Sequence, residues 1–312
     1  MARHNRICIR GALHHCYQKT KDGYVIFYTV SDYLVYFTLL CVIAPRYNIR
    51  IVAISLMPDH IHFSVIAPTW YELWRFMQNL QSMFAKEHNI TCHRKGSLFK
   101  SPFGSAPKTS DKKVRTNINY VANNPVERCL TDRAENYRWT FLAYAVSNHP
   151  FSQAIVKSKA SKELKRAMAI VDSSHATQLH LKHQTLSKMF EPLDKKECNQ
   201  LTDYIIAKYS VIEYQTAINY YGSYDTMLTA IHSNTGEEHD IHDIKEDKTK
   251  QNDNVYSKMT KLLIETYHFK DIHDMLGLTL KKKHELFRFL SNNTDTPSYQ
   301  IAKYLRIKKP TT

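Results

Sequence analysis

The distribution of apolar and polar residues along the first part of the chain predicts a mixture of strands and helices. Segment 7–17 predicts a strand that enters the fold. Segments 50–57 and 61–66 are β-branched and apolar, and the turn signal between them predicts an antiparallel hairpin. Segment 31–45 is apolar without interruption until Pro45, which is typical of a buried helix.

A second helix is predicted from Trp70 to about His88. Thr69 is suited to be its N-cap, and Glu72 lies in its first turn, where an acidic side chain is favourable. Apolar residues recur at helical spacing and predict its buried face: Leu73, Phe76, Met77, Leu80 and Phe84.

The segment that follows, 91–115, is polar and basic, and its glycines and prolines interrupt any long element. It predicts a mobile loop that leads into a helix over 112–123. The helix is expected to end there because Pro125 disfavours helical geometry at the residue before it.

The rest of the chain predicts a mainly helical region. After a loop-and-strand segment at 137–144, the sequence at 148–150 marks the edge between a domain at 1–150 and a C-terminal region at 151–312. The acidic, polar stretch 236–253 predicts a linker or disordered loop. Helices are predicted at 155–171, 176–190, 196–221 and 223–232, with two or three more between 255 and 312.

The charge and the cysteines narrow the class of protein. The net charge is +14, and residues 1–150 hold 19 Lys/Arg against 9 Asp/Glu, which favours a polyanionic partner for this half. A merely basic soluble protein is the alternative. The six cysteines form no CxxC pair, and no apolar run is long enough to span a bilayer. We therefore expect a cytoplasmic protein, associated with the nucleoid, that has no membrane partner.

His60 and His62 are one residue apart on a predicted strand. Side chains alternate along a strand, so both imidazoles and the Ser64 hydroxyl point to the same face. Two adjacent imidazoles can share a divalent metal. The alternative is a pair of ordinary surface histidines.

Tyr120 and Asn124 are four residues apart near the end of a predicted helix, so they share one face. A tyrosine hydroxyl can attack a phosphodiester that a metal polarises, and an asparagine carbonyl oxygen suits a hard cation. The alternatives are an ordinary tyrosine, one of 20 in the chain, and an asparagine that ends a helix before proline.

Four segments in order resemble the single-tyrosine HUH transposases, above all those of the REP-associated type. The segment from Leu56 to Phe63 (LMPDHIHF) is similar to their "LMPNHxHLL", and 120–126 (YVANNPV) to their "YIxxNPV". The segments 98–101 (LFKS) and 137–140 (YRWT) resemble the sequences that flank the tyrosine helix. The resemblance spans about residues 5–148.

The resemblance implies an α+β fold: a ferredoxin-like antiparallel sheet that carries the histidines, with helices packed on it. It also implies a Mg²⁺ or Mn²⁺ cofactor and an enzyme that cleaves and rejoins single-stranded DNA beside hairpins, through a 5′-phosphotyrosine. By this resemblance Tyr120 is the nucleophile, His60 and His62 are metal ligands, and Asn124 is the third ligand.

The sequence departs from the family pattern at three places. Asp59 stands where asparagine is usual, in the turn before the histidines. Asn123 adjoins Asn124, so the choice of third ligand between them rests on helical geometry. Residues 127–129 (ERC) stand where the family usually has "RAG". This difference lies outside the expected metal ligands, so it bears on the details of the substrate more than on the chemistry.

The basic segment is also a candidate DNA-binding surface, with phenylalanines that could stack on bases; a solvated charge run is the alternative. The expected contacts are Arg94, Lys95, Lys100, Lys112, Lys113 and Arg115, with Phe99 and Phe103. Residues 300–305 resemble the first helix of a helix-turn-helix, but the chain ends soon after them. Hairpin recognition, dimerisation and packing on the catalytic domain all stay open for this region.

Two other functions are compatible with the sequence. One is a domesticated protein that binds hairpin DNA but no longer transposes, and the other is a nicking initiator of replication or conjugation. The intact His60, His62 and Tyr120 favour retained chemistry, and the single candidate tyrosine with its "NPV" context favours a transposase. A homodimer is compatible with the sequence, with Tyr120 serving its own histidines or those of a partner.

Overall fold

The computed structural model describes residues 8–100, 103–233 and 252–308. Its sheet has four strands in the order β2-β3-β1-β4, and each neighbouring pair is antiparallel. The strands are β1 (Leu13–Lys19), β2 (Arg50–Leu56), β3 (His60–Ile66) and β4 (Gly104–Lys108). Helix α1 (Val30–Ile43) joins β1 to β2, and α2 (Trp70–Thr91) joins β3 to β4. This βαββαβ arrangement is ferredoxin-like, so the expected α+β fold is confirmed.

The sheet is covered on both faces, which explains why β3 is buried along its length. Phe63 points to one face, where its ring contacts Phe76 of α2 and Tyr36 of α1. On the opposite face, helix α3 (Asp111–Glu127) packs against the sheet, and the Ser64 hydroxyl donates to Asn117 Oδ1 at 2.7 Å. One face therefore carries the main apolar core, and the other carries polar side chains beside a smaller core in which Leu13 and Val52 pack on α3.

Helix α2 begins as predicted. The Thr69 side chain accepts from the Glu72 amide, which satisfies one of the free N–H groups of the first turn. The predicted apolar face is buried through to Phe84. None of its five residues has more than 1% of its surface exposed. The helix ends at Thr91, one turn beyond the predicted end.

The segment predicted as a mobile loop contains β4, so the prediction of a loop throughout 91–115 was wrong. Strand β4 has no apolar alternation of its own, and it forms because β1 offers it an antiparallel partner. Pro107 is tolerated because β4 is an edge strand. Gly104 is required by close approach, because a Cβ there would lie 2.0 Å from the Tyr17 ring.

Helix α3 starts at Asp111 and continues through Pro125 to Glu127, so its predicted end at residue 123 was also wrong. Proline disfavours helical geometry before it, but packing of the last turn overrides this preference. The Arg128 amide closes the helix on the Asn124 carbonyl at 3.1 Å. The strand predicted within 137–144 is absent, since short 3-10 helices occupy Arg138–Thr140 and Leu142–Ala145.

The predicted helical C-terminal region is confirmed, with different boundaries. The predicted helix over 196–221 is two helices, because the chain extends at Ile212 and forms a bridge with Ile51 of β2. The helices are α4 (Lys162–Ala176), α5 (His183–Phe190), α6 (Lys195–Tyr209), α7 (Tyr214–Asn219), α8 (Tyr224–Ser233), α9 (Asn254–Tyr267), α10 (Leu280–Asn293) and α11 (Ser298–Leu305).

The C-terminal helices bury apolar surface against the sheet domain. Helices α4, α5 and α6 share one hydrophobic core with α1 and α2, whereas α9, α10 and α11 form a second core that includes Val25. The boundary predicted at residue 150 stays a prediction. Most of the predicted linker lies outside the described residues, but its last residue, Asp253, is buried. No described helix is long and apolar enough to cross a membrane.

Candidate active site

The two histidines of β3 lie on the polar face of the sheet, beneath α3. Their rings are nearly perpendicular, with centroids 5.0 Å apart, and both side chains are buried. The alternation of the strand therefore places His60 and His62 side by side, as predicted.

The two asparagines near the end of α3 point in different directions. Asn124 Oδ1 lies 3.0 Å from His60 Nε2. Asn123 instead donates from Nδ2 to the carbonyl of Ile231 in α8. Helical geometry thus places Asn124, and not its neighbour, beside the histidine pair.

Tyr120 lies one turn before Asn124 on the same face of α3. Its ring stands edge-on to His62, with centroids 5.3 Å apart, and 5.6 Å from the ring of His15. The predicted nucleophile and the predicted ligands are therefore brought together within one chain.

His15 is a member of this cluster that the sequence analysis missed. It pairs with Ser64 across β1 and β3, and its Nε2 lies 3.0 Å from His62 Nδ1. The neighbouring His14 points away and contacts the Ile9 amide through Nε2. The sequence shows two adjacent histidines here, but only the register of β1 on β3 selects the one that reaches the site.

Asp59 has a second role besides its place in the turn. Its Oδ1 accepts a 2.6 Å hydrogen bond from His60 Nδ1, and its Oδ2 lies 3.5 Å from Lys303 Nζ of α11. A carboxylate on the far nitrogen commonly orients a metal-binding histidine. The C-terminal helix thus reaches the back of this pair, which the sequence analysis did not foresee.

Charge around the site is set by burial and by neighbouring cations. Burial, followed by the nearby His60 and His15, holds the pKa of His62 well below its usual value. Burial alone would raise the pKa of Asp59, but the adjacent His60 and Lys303 hold it well below its usual range. Burial and the charge of Asp59 raise the pKa of Asp253, whose carboxylate lies 3.8 Å from Arg128.

The donor atoms fit a divalent cation. The Nδ1 atom of His60 is bonded to Asp59, so Nε2 is the nitrogen that faces the Asn124 carbonyl oxygen, 3.0 Å away. Ligand atoms about 2.1 Å from an octahedral ion lie about 3.0 Å apart. The contact with His15 occupies His62 Nδ1 and leaves its Nε2 for a ligand role.

The expected DNA contacts divide into two groups. Lys95, Lys100, Lys112 and Lys113 are exposed, Arg115 is half-buried, and Arg94 donates to Asn89 Oδ1 at 2.8 Å. The two phenylalanines are not available for base stacking in this conformation. Phe99 packs near Phe84, and Phe103 stacks on Trp70. Both rings are part of the hydrophobic core, because pairing of β4 with β1 holds their segment against the sheet.

Comparison with known proteins gives a family for this part of the chain. The model of the family described as transposase IS200 like matches residues 14–124. Residues 14–124 therefore resemble the IS200-like transposases. The matched range is about a third of the chain and includes most of the sheet domain, Tyr120 and all three expected ligands. The resemblance inferred from the four sequence segments is confirmed over this range.

One solved structure is also similar. It is described as a REP-associated tyrosine transposase bound to a REP hairpin, and it aligns with a TM-score of 0.41 and 16% sequence identity. The alignment covers 47% of this chain and 86% of that chain. The search of curated proteins gave no match.

Proposed function

We propose that this protein is a metal-dependent transposase that cleaves and rejoins single-stranded DNA beside hairpins, with Tyr120 as the nucleophile. The observation that carries the proposal is the cluster on the polar face of the sheet, where the half-buried Tyr120 meets the buried His62, His60 and Asn124. The match of residues 14–124 to IS200-like transposases supports action on DNA. The hairpin substrate rests on the resemblance to the REP-associated type.

His60, His62 and Asn124 would hold the cation, Mg²⁺ or Mn²⁺. Such an ion, when bound, stabilises charge on the phosphate and on the leaving oxygen. The chain's own residues provide the rest: Asp59 orients His60, and His15 orients His62. Helix α3 holds the tyrosine beside these ligands.

In the proposed reaction the Tyr120 oxygen attacks the phosphorus of the scissile phosphodiester. The new bond is a phosphotyrosine at the 5′ end, and the bond to the 3′ oxygen breaks, which releases a 3′-OH. The phenolic proton passes to solvent as the new bond forms, and solvent returns a proton to the departing 3′ oxygen, so the step balances without a further reactant. Attack by a different 3′-OH reverses the step and joins the strands, so no ATP is consumed.

The test is a gel assay with labelled single-stranded hairpin oligonucleotides and Mn²⁺ or Mg²⁺. Wild type should give a protease-sensitive, metal-dependent adduct, and Tyr120→Phe should give none while DNA binding is retained. Tyr71→Phe is the matched control, because Tyr71 is an exposed tyrosine of α2 and should leave the adduct unchanged. An adduct that persists in Tyr120→Phe would show that another residue is the nucleophile.

The metal ligands are tested separately. The double variant His60→Ala, His62→Ala should lose cleavage at every metal concentration, and unchanged cleavage would refute the ligand assignment. A wild type that binds hairpins but forms no adduct on a wide pool would favour the domesticated DNA-binding protein.

A further inference from the structure

Three side chains of the types that bind metals form a cluster separate from the residues of the proposed active site. Asp32 is in the first turn of α1, His183 is the first residue of α5, and His273 belongs to the 3-10 helix Ile272–Gly277. One ligand atom from each residue lies within 4.8 Å of the other two. Within the described residues this is the one set of three His, Cys, Asp or Glu side chains with that geometry.

The distances suit a small cation with nitrogen and oxygen ligands. His273 Nε2 lies 3.0 Å from Asp32 Oδ1, and His183 Nε2 lies 3.7 Å from the same oxygen. Ligand atoms about 2.0–2.1 Å from a tetrahedral zinc ion lie about 3.3 Å apart. The two observed separations lie on either side of this value, and the third pair of ligand atoms lies within 4.8 Å, so modest movements would let the three side chains share one ion, with a fourth position left for water.

Surrounding groups orient two of the three ligands. His273 Nδ1 donates to Asp271 Oδ1 at 2.5 Å, which directs Nε2 towards Asp32. This pairing of carboxylate, imidazole and metal recurs in zinc sites. The Tyr28 and Thr29 amides both donate to Asp32 Oδ2 at 2.9 Å. The carboxylate is thereby held with both oxygens 3.0 Å from His273 Nε2 and with Oδ1 on the side of His183.

An ion pair between Asp32 and His273 accounts for only part of the cluster. His183 Nε2 is buried and has no hydrogen-bond partner among the described residues, and a buried imidazole nitrogen left unpaired is unfavourable. The nearby His88 is no substitute as a ligand, because its Nε2 lies 2.7 Å from the Arg306 guanidinium. A bound cation would satisfy His183, and the ion pair does not.

We propose that Asp32, His183 and His273 bind a structural Zn²⁺ ion that joins the C-terminal helices to the start of α1. Two imidazoles and one carboxylate form a ligand set that favours binding of Zn²⁺ over binding of Mg²⁺ or Ca²⁺. The ligands come from segments separated by 151 and 90 residues along the chain. A bond to each segment would oppose separation of the second hydrophobic core from the sheet domain.

The experiment uses the untagged full chain, stripped with a chelator and reloaded with Zn²⁺. Bound zinc is measured by mass spectrometry after gel filtration, and the Tm is measured with and without zinc. Wild type should retain one zinc per chain and gain several degrees in Tm. His183→Ala should bind this zinc at least about tenfold more weakly, because one of three ligands is lost.

Two controls separate this site from the proposed active site. His180→Ala removes a histidine three positions away whose Nε2 lies 3.7 Å from Glu87, and it should bind zinc as wild type does. The double variant His60→Ala, His62→Ala should also keep the zinc and its effect on Tm. Zinc lost from that double variant, but not from His183→Ala, would place the ion at the active site and overturn the proposal.

A measurement on the double variant His60→Ala, His62→Ala does not depend on how well His183→Ala folds. Loaded with Co²⁺ in place of zinc, it should show the strong visible absorption of a tetrahedral site. Weak absorption typical of an octahedral ion, or no bound Co²⁺, would equally overturn the proposal.

Discussion

At the scale of single residues, the site depends on groups that hold the expected ligands in place. His60 is fixed by Asp59 on one nitrogen and faces Asn124 with the other. His62 is fixed in the same way by His15. Each of these two histidines therefore has one nitrogen committed to the protein, which leaves the other for the proposed cation.

The first prediction concerns His15. His15→Asn should raise the Mn²⁺ concentration needed for half-maximal adduct formation by about 10–100-fold, because His62 loses the group that orients it. Hairpin binding without metal should stay the same. The measurement is a Mn²⁺ titration of single-turnover adduct formation.

His14→Asn is the control for this prediction. His14 is equally buried but points to the other face of β1. If His14→Asn and His15→Asn raise the Mn²⁺ requirement alike, the effect comes from general damage to β1 and not from the loss of an orienting group.

At the scale of elements, β4 shows how a partner strand imposes structure on a sequence without strand character. Its five residues include a glycine and a proline, and a strand is not expected from them alone. Its pairing with β1 places Gly104 against Tyr17, whose ring lies 6.5 Å from that of His62. The edge strand is thereby coupled to the polar layer that holds the site.

The second prediction tests this contact. Gly104→Ala should reduce the free energy of unfolding by about 1–3 kcal/mol, because its Cβ would overlap the Tyr17 ring. Chemical denaturation provides the measurement. Gly277→Ala is the control, since a Cβ there meets no atom within 4 Å, and it should be close to neutral. Equal free energies of unfolding for the two variants would show that β4 and Tyr17 accommodate the added Cβ without loss of stability.

At the scale of the whole molecule, the C-terminal region packs on the sheet domain instead of standing apart from it. Arg306 donates to the Val25 carbonyl at 2.6 Å, and the Tyr28 hydroxyl donates to the Tyr304 carbonyl at 2.7 Å. Lys303 reaches Asp59 behind the proposed ligand His60. Helix α11 and the residue after it thus contact both the core and Asp59 beside the proposed site.

The net charge of +14 acts at this same scale, and the third prediction concerns its use. Lys100 is exposed, and its amide bonds the Lys19 carbonyl at the end of β1 that pairs with His60. Lys100→Ala should weaken hairpin binding and reduce the slope of log K against log salt by about 0.7, if it contacts one phosphate of a single strand. Binding isotherms at several salt concentrations measure this slope.

Lys261→Ala is the matched control, because Lys261 is an exposed lysine of α9 that pairs with Glu265. It removes the same charge and should leave the slope unchanged. A similar loss in both variants would mean that the net charge, and not the position of Lys100, governs binding.

Much of the fold could be predicted because local pattern and tertiary structure agree there. The hairpin of β2 and β3 follows from two apolar runs and the turn between them, α1 from an uninterrupted apolar run, and the face of α2 from helical periodicity. The family segments predicted His60, His62, Tyr120 and Asn124 together. The predictions that were wrong lie where a neighbour overrides local preference. Examples are β4, which pairs with β1, and Pro125, which packing keeps within α3.

The sequence by itself determined which residues lie on the same face of one strand or helix, because that depends only on the local geometry of the backbone. The tertiary structure alone decided which distant residues meet. The register of β1 on β3 placed His15, and not His14, beside the site. Folding of the C-terminal region placed Lys303 beside Asp59 and His273 beside Asp32. Contacts across 200 residues or more leave no periodicity in the sequence, because packing between elements, and not the local backbone, creates them.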